Sequence, residues 1–325
     1  MRKAVFYVVL AVFYIPSRFS KKMTEIPESC DEEPLVEAFE GKHGGHLESA
    51  EFREPETGLA LRGIYLPGAG ESREGKCAVI LCHGLGGTRA QLMPVADFMH
   101  ELGHDVLLFD YRGHGESEGD FTSLGYFEGR DTVAACAYMR ENRGARRIVL
   151  FGFSMGAVAA ALAAARDDSV VGLIAESPYD SLENVVARKA REHYHIPKWP
   201  IVTLSLWATE MRRNFDRREV DLTKVLPCLA DRHVLLVASR GDQTIPVEMT
   251  RRLRSYLGEG HEYWEVDGVD HGGIFDSDFG PEYREHLRRF LSRCNGPYGR
   301  KDAAQKRPVR ARTGKLGKLG RYPAG

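Results

Sequence analysis

A chain of 325 residues with 43% hydrophobic and 28% charged side chains can bury a sizeable core, in one large domain or two small ones. Its 45 lysines and arginines nearly cancel 46 aspartates and glutamates, and the net charge of -1 argues against a chain built as a whole to bind nucleic acid. The six cysteines (Cys30, Cys77, Cys82, Cys136, Cys228 and Cys294) contain no C-x-x-C, which argues against zinc ribbons, thioredoxin-like redox motifs and a disulfide scaffold.

Arg2 and Lys3 precede an apolar run from Ala4 to Ile15, which ends at Pro16, Arg18, Lys21 and Lys22. A basic start and a short apolar stretch fit a secretory signal, but no A-x-A-like cleavage site follows. The run is also shorter than the roughly 20 residues of a spanning helix. For residues 1–23 the first expectation is an uncleaved signal-anchor, the second a cleaved signal peptide, the third a buried helix. The first two imply membrane association through residues 4–15, or secretion; otherwise the protein is cytoplasmic. Basic residues flank both sides, so no orientation is assigned. Residues 24–45 are acidic, carry Pro27 and Pro34, and read as a loop-like linker.

From residue 46 onward the pattern is that of a folded domain. Two strands are expected within 46–66, closed by the turn Pro67-Gly68-Ala69-Gly70. Lys76 to Cys82 reads as a buried strand running into His83-Gly84-Leu85-Gly86-Gly87. Leu92, Val95, Ala96, Met99 and Leu102 give helical spacing over 88–102. Val106 to Phe109 is the next strand, Tyr126 to Asn142 a helix, Ile148 to Phe151 a strand, Ala157 to Arg166 a helix and Val170 to Ala175 a strand. Strands alternating with helices in this way predict βαβ units and a mostly parallel sheet covered by helices on both faces. The rhythm breaks between Ser177 and His233, where Tyr179, Tyr194, Trp199, Trp207, Phe215 and many arginines occur without a strand pattern. Such insertions usually cover a site, and the aromatics are expected to pack as core. Val234 to Ala238, Pro246 to Leu257, Tyr263 to Val266 and Pro281 to Leu291 restore the alternation. The segment 296–325 is basic, Gly-rich and poor in large apolar residues, and is expected to be a disordered, solvated tail.

The stretch Gly152-Phe153-Ser154-Met155-Gly156 lies between a strand and an alanine-rich helix and fits G-x-S-x-G, the nucleophile elbow. A serine on so tight a turn must sit in a strained backbone conformation. Its neighbours two residues away must be small, or their side chains would collide. A serine hydroxyl barely ionises at neutral pH and needs a base, usually a histidine oriented by a carboxylate. Two loops downstream supply them: Asp242, past the strand 234–238, and His271, past the strand 263–266. The order Ser154, Asp242, His271 is that of α/β-hydrolases. Glu176, at the end of another strand, is the rival acid. A base must be neutral to act, so activity is expected to fall as pH drops through roughly 6 to 7.

These motifs, together with Asp110-Tyr111-Arg112-Gly113-His114-Gly115-Glu116-Ser117, resemble the serine-hydrolase branch of the α/β-hydrolase superfamily over about residues 60–292. Within it the chain resembles bacterial serine esterases and acylaminoacyl-peptidase-like or monoacylglycerol-lipase-like enzymes. The resemblance implies an α/β-hydrolase fold at 46–295, with an eight-stranded, mostly parallel sheet and a helical cap at 181–227. Serine rather than aspartate at the elbow argues against haloalkane dehalogenase and epoxide hydrolase chemistry. Met155 N–H is the first oxyanion donor, being next to the serine, and by the family pattern Leu85 N–H is the second. His83 is expected to brace the oxyanion loop and Arg112 to tie loops together. The pairs His193/His195 and His43/His46 lack companion ligands, so no metal is expected, and no cofactor. The expected substrate is a small-molecule ester or a short peptide-like compound. An aminopeptidase on the same residues, with Glu176, Asp180 or cap residues anchoring a charged terminus, and a non-catalytic binding module are the alternatives.

Overall fold

The computed structural model describes residues 15–27, 33–70 and 75–295. The apolar run from Ala4 therefore lies outside the described residues except for Ile15, as does the basic tail 296–325. Among the described residues no helix is long and apolar enough to cross a membrane.

Among the described residues eight strands form one sheet: β1 (Glu48–Arg53), β2 (Ala60–Leu66), β3 (Ala78–Cys82), β4 (Val106–Phe109), β5 (Ile148–Phe153), β6 (Val170–Glu176), β7 (His233–Ser239) and β8 (Glu262–Val266). Their order is β1-β2-β4-β3-β5-β6-β7-β8. The pairs β1/β2 and β2/β4 are antiparallel and the rest parallel. The helices are α1 (Ile15–Met23), α2 (Glu33–His43), α3 (Met93–Glu101), α4 (Tyr126–Arg143), α5 (Met155–Ala164), α6 (Leu182–Tyr194), α7 (Thr203–Arg213), α8 (Leu222–Val225), α9 (Val247–Arg254) and α10 (Gly280–Asn295).

Every residue of β3, β5 and β6 is buried, because helices cover both faces of a parallel sheet. Alternate residues divide between two cores. Ile148 and Leu150 of β5 pack with α4 and α5, whereas Val149, Phe151 and Phe153 pack with α3 and α10. With these crossovers the carboxyl ends of β5, β6, β7 and β8 lie along one edge, where ligands bind in open α/β sheets.

Three expectations are corrected. Residues 24–45 are not a loop-like linker throughout, since Glu33–His43 form α2. Phe39 and His43, four apart on one face, are buried against the domain, and His43 Nε2 lies 2.9 Å from Asp97. The acidic residues hid this stripe, and Pro34 sits in the first turn, where a helix tolerates proline. The helix expected over 88–102 divides: Arg89–Leu92 form a 3-10 turn capped by the Thr88 side chain, and α3 starts after it. The third correction concerns the aromatics of 177–232. Tyr179 and Phe215 are buried, but Trp199 is 72% exposed and Trp207 58%. Trp207 and Met211, four apart, lie on the outward stripe of α7, while Leu206 and Thr209 face in. Of residues 1–23 the described part is α1, which docks on α7. Cys77, Cys82, Cys136 and Cys294 are buried free thiols and Cys228 is an exposed one.

Candidate active site

Ser154 is the pivot between β5 and α5. Its φ of 55° and ψ of -117° place a non-glycine residue in a region that costs about 1–3 kcal/mol. The neighbours explain why the turn closes. A Cβ on Gly152 would lie 2.4 Å from the Gly156 carbonyl oxygen, and one on Gly156 would lie 2.0 Å from the Cys82 carbonyl oxygen. Both sites are therefore closed to any side chain, and the elbow rests on the backbone leaving β3.

The Ser154 hydroxyl donates to His271 Nε2 over 3.0 Å, and His271 Nδ1 donates to Asp242 Oδ2 over 2.7 Å. Asp242 Oδ1 accepts the N–H groups of Thr244 (2.9 Å) and Ile245 (2.7 Å). Burial pushes the Asp242 carboxyl upward, but the hydrogen bonds from His271, Ile245 and Ser177 outweigh it, so the group lies below its ordinary value. Phe153 packs against the His271 ring, with centroids 4.6 Å apart and planes tilted by 43°, and Asp270 accepts the His271 N–H at 2.7 Å. These contacts fix the ring from its face and from its backbone.

Ser154, Asp242 and His271 thus converge from three strand ends, whereas Glu176 does not join them. Glu176 is buried at the end of β6 and accepts from the Tyr283 hydroxyl at 2.8 Å. Burial pushes its carboxyl up to about 7. Asp267 pairs with Arg240. Asp180, the other acidic candidate, is buried with Asn184 and Arg252 as partners.

Leu85 and Met155 follow adjacent strand ends, since Cys82 of β3 pairs with Gly152 of β5. The Met155 N–H opens α5, where first-turn N–H groups have no intrahelical partner. Among the described residues the Leu85 N–H has no acceptor either. The loop around it is held on both sides. Gly84 N–H donates to Gln91 Oε1 at 2.8 Å and Gly86 N–H to His114 Nε2 at 3.3 Å. His83 is wholly buried, donating from Nδ1 to the Gly84 carbonyl (2.7 Å) and accepting at Nε2 from Tyr111 N–H (3.0 Å). Burial, with His114 adding, pushes His83 down to about 3, so it stays neutral and keeps both bonds. Arg112, also buried, grips Asp131 with two nitrogens and faces Glu54 at 3.7 Å, tying the loop after β4 to α4 and to the end of β1.

Sequence reasoning missed Gln91, Phe153 as a packing partner of His271, and Ser177. Gln91 stands in a 3-10 turn, and nothing in its spacing signals the contact it makes seven residues back. Phe153 was legible as the variable residue of the elbow, but not as the floor under His271. Among the described residues no group of three or more His, Cys, Asp or Glu is placed to hold a metal ion. A cleft of about 530 Å³ opens at the opposite edge of the sheet, by Tyr65, Lys76, Arg143 and Arg147, away from Ser154.

Comparison with known proteins bears on this arrangement. A family model described as serine aminopeptidase, S33 matches residues 73–263. The uncharacterized protein YqkD of Bacillus subtilis is 26% identical over 304 residues, spanning 90% of this chain and 97% of its own length. The uncharacterized protein Rv2307c of Mycobacterium tuberculosis is 32% identical over 248 residues, 74% of this chain and 77% of its own. Among solved structures, an esterase of Pyrococcus furiosus matches with a TM-score of 0.63 and 24% identity, over 84% of this chain and 99% of that one. Est1E of Butyrivibrio proteoclasticus, with ferulic acid bound, matches with a TM-score of 0.57 and 19% identity over 75% of this chain and 98% of its own. At such identities these two structures speak to the fold alone.

Proposed function

Since the chain belongs to the serine aminopeptidase S33 family and has the α/β-hydrolase fold, we propose that this hydrolase cleaves carboxylic esters through an acyl-enzyme on Ser154. The observation that carries the reading is the unbroken line from Ser154 Oγ through both ring nitrogens of His271 to Asp242, at 3.0 and 2.7 Å.

In this mechanism Ser154 Oγ attacks the ester carbonyl carbon while its proton passes to His271 Nε2. Asp242 holds the Nδ1–H, so Nε2 presents its lone pair, and its charge stabilises the imidazolium that forms. The carbonyl oxygen becomes an oxyanion held by the Leu85 and Met155 N–H groups; losing one such donor typically costs about 3 kcal/mol in the transition state. The C–O bond to the leaving alcohol then breaks, and His271 returns the proton to that oxygen. Water repeats the sequence on the acyl-enzyme, releasing the acid and restoring the serine. The helical segment 181–227 acts as a cap on the domain 46–295.

An ester is favoured over a peptide because two of the anchors an aminopeptidase could use, Glu176 and Asp180, are already engaged. Glu176 is spent on Tyr283, and Asp180 on Asn184 and Arg252. The test is Ser154→Ala: turnover of p-nitrophenyl butyrate should fall by roughly 10⁴-fold or more, and labelling by a fluorophosphonate should disappear, with the melting temperature preserved. Near-normal turnover in the variant would reject Ser154 as nucleophile. A wild-type chain that neither turns over nor labels would favour the binding-module alternative.

A further inference from the structure

Of the six large apolar side chains exposed among the described residues, four fall within 194–211: Tyr194, Trp199, Trp207 and Met211. Single exposed apolar residues are ordinary, but a cluster of them marks a contact surface. The elements that carry this cluster are locked together. The hydroxyls of Ser20, on α1, and Thr209, on α7, lie 2.7 Å apart and buried. The Phe19 ring meets Tyr194 edge-on, with centroids 5.7 Å apart. The segment Lys198–Val202 packs against α1, α6 and α7.

Positive charge surrounds the cluster and is not spent inside the protein. Arg18 and Lys21 of α1 and Arg191 of α6 are exposed, and among the described residues no carboxylate pairs with them. The helices α6 and α7 hold Glu183, Glu192 and Glu210, and each of these already has a cation: Lys198, Arg188 and Arg217 respectively. In sequence, the apolar run from Ala4 leads directly into α1 at Ile15. Tryptophan and tyrosine settle at the headgroup depth of a bilayer, and lysine and arginine meet anionic lipid phosphates. Exposed aromatics and methionine, bordered by free cations and joined to an apolar segment, fit that interface.

We propose that α1, α7 and the segment Lys198–Val202 form a face that docks on the surface of an anionic lipid bilayer. Such a face lies in the interface and needs no spanning helix. It stands at the edge of the sheet where Ser154, Asp242 and His271 meet. The Thr24 carbonyl, just past α1, accepts from Thr122 N–H at 3.1 Å. Ile26 and Pro27 stand against Gly113 and Gly86, where a Cβ would meet Ile26 Cδ1 at 2.3 Å and Pro27 Cβ at 3.2 Å. Residues 24–27 thus tie α1 to the loops after β3 and β4. Docking does not depend on which bond Ser154 cleaves.

The experiment titrates the full chain with vesicles of phosphatidylcholine, alone or mixed equally with phosphatidylglycerol. It reads the tryptophan emission and the fraction of protein that floats with lipid. The wild type should bind the mixed vesicles with a blue-shifted emission, as Trp199 and Trp207 leave water, and bind phosphatidylcholine at least about tenfold more weakly. The double variant Trp199→Ser, Trp207→Ser should bind the mixed vesicles about tenfold more weakly or worse. Lys21→Glu should lose several-fold, and less so in high salt. It suffices alone if the double variant does not fold. Every variant keeps residues 4–14 and the basic tail 296–325, so binding equal to wild type in the variants overturns the assignment to this face. A wild type that binds no vesicle overturns it as well, and so does a dimer that the tryptophan substitutions disperse in place of vesicle binding.

Discussion

Replacing Asp242 by asparagine tests the orientation of His271 with almost no change of shape. Asp242 Oδ1 accepts two backbone N–H groups, from Thr244 and Ile245. In Asp242→Asn the amide oxygen must take that place, because an NH₂ there would face two donors. The amide NH₂ then points at His271 Nδ1, where the carboxylate oxygen stands at 2.7 Å. Nδ1 can only accept from it, so the ring proton moves to Nε2, which faces the Ser154 hydroxyl at 3.0 Å. The serine then has a donor beside it instead of a base. The stabilising charge on the imidazolium is lost as well. Together these should lower kcat about 10⁴-fold, a cost of roughly 5.5 kcal/mol in the transition state. The measurement is kcat on p-nitrophenyl butyrate at pH 8, with the melting temperature as a check that the loop survives. Activity within tenfold of wild type, in a folded protein, would refute the reasoning and reopen the choice of acid.

Glu176→Gln is the companion variant. It should keep ester turnover, because Glu176 faces Tyr283 rather than His271. Its stability should change with pH in one direction. The folded protein holds the Glu176 proton up to about 7, above the ordinary 4.5, so wild-type stability falls as pH rises between those values. The neutral amide escapes that loss, worth about 3 kcal/mol, and urea titrations at pH 5 and pH 8.5 should show the variant gaining on wild type at the higher pH. Equal behaviour at both would remove the buried carboxyl from the account. Gly156→Ala places a Cβ where the Cys82 carbonyl oxygen already stands, 2.0 Å away. It should destabilise the fold by about 3 kcal/mol, a melting shift on the order of 5–10 °C, and an unshifted melting curve would deny that the elbow rests on β3.

The buried strands were legible because parallel strands covered on both faces are written as short β-branched runs. Val106–Phe109 was bounded to the residue, and β5 differed only in running on through Gly152 and Phe153. The elbow was legible for a related reason: its glycines are demanded by local backbone geometry, which sequence records directly. The helix α2 was not, because its apolar face has few residues and is set among acidic ones. The outward Trp207 was misread because composition cannot say which side of a helix meets the core.

From sequence alone come the alternation of strand and helix, the elbow, and the order in which a serine, an aspartate and a histidine occur. Those features depend on residues close together in the chain, where sterics and periodicity act without help. Only the tertiary structure decided that Asp242, and not Glu176, meets His271. Glu176 is the last residue of β6 and turns to Tyr283, whereas Asp242 stands in the loop past β7, where the Thr244 and Ile245 N–H groups hold its carboxylate toward His271. It alone also brought residues 20–27 against α7 and against Gly86 and Gly113, because contacts between residues far apart in the chain depend on shapes that no local pattern encodes.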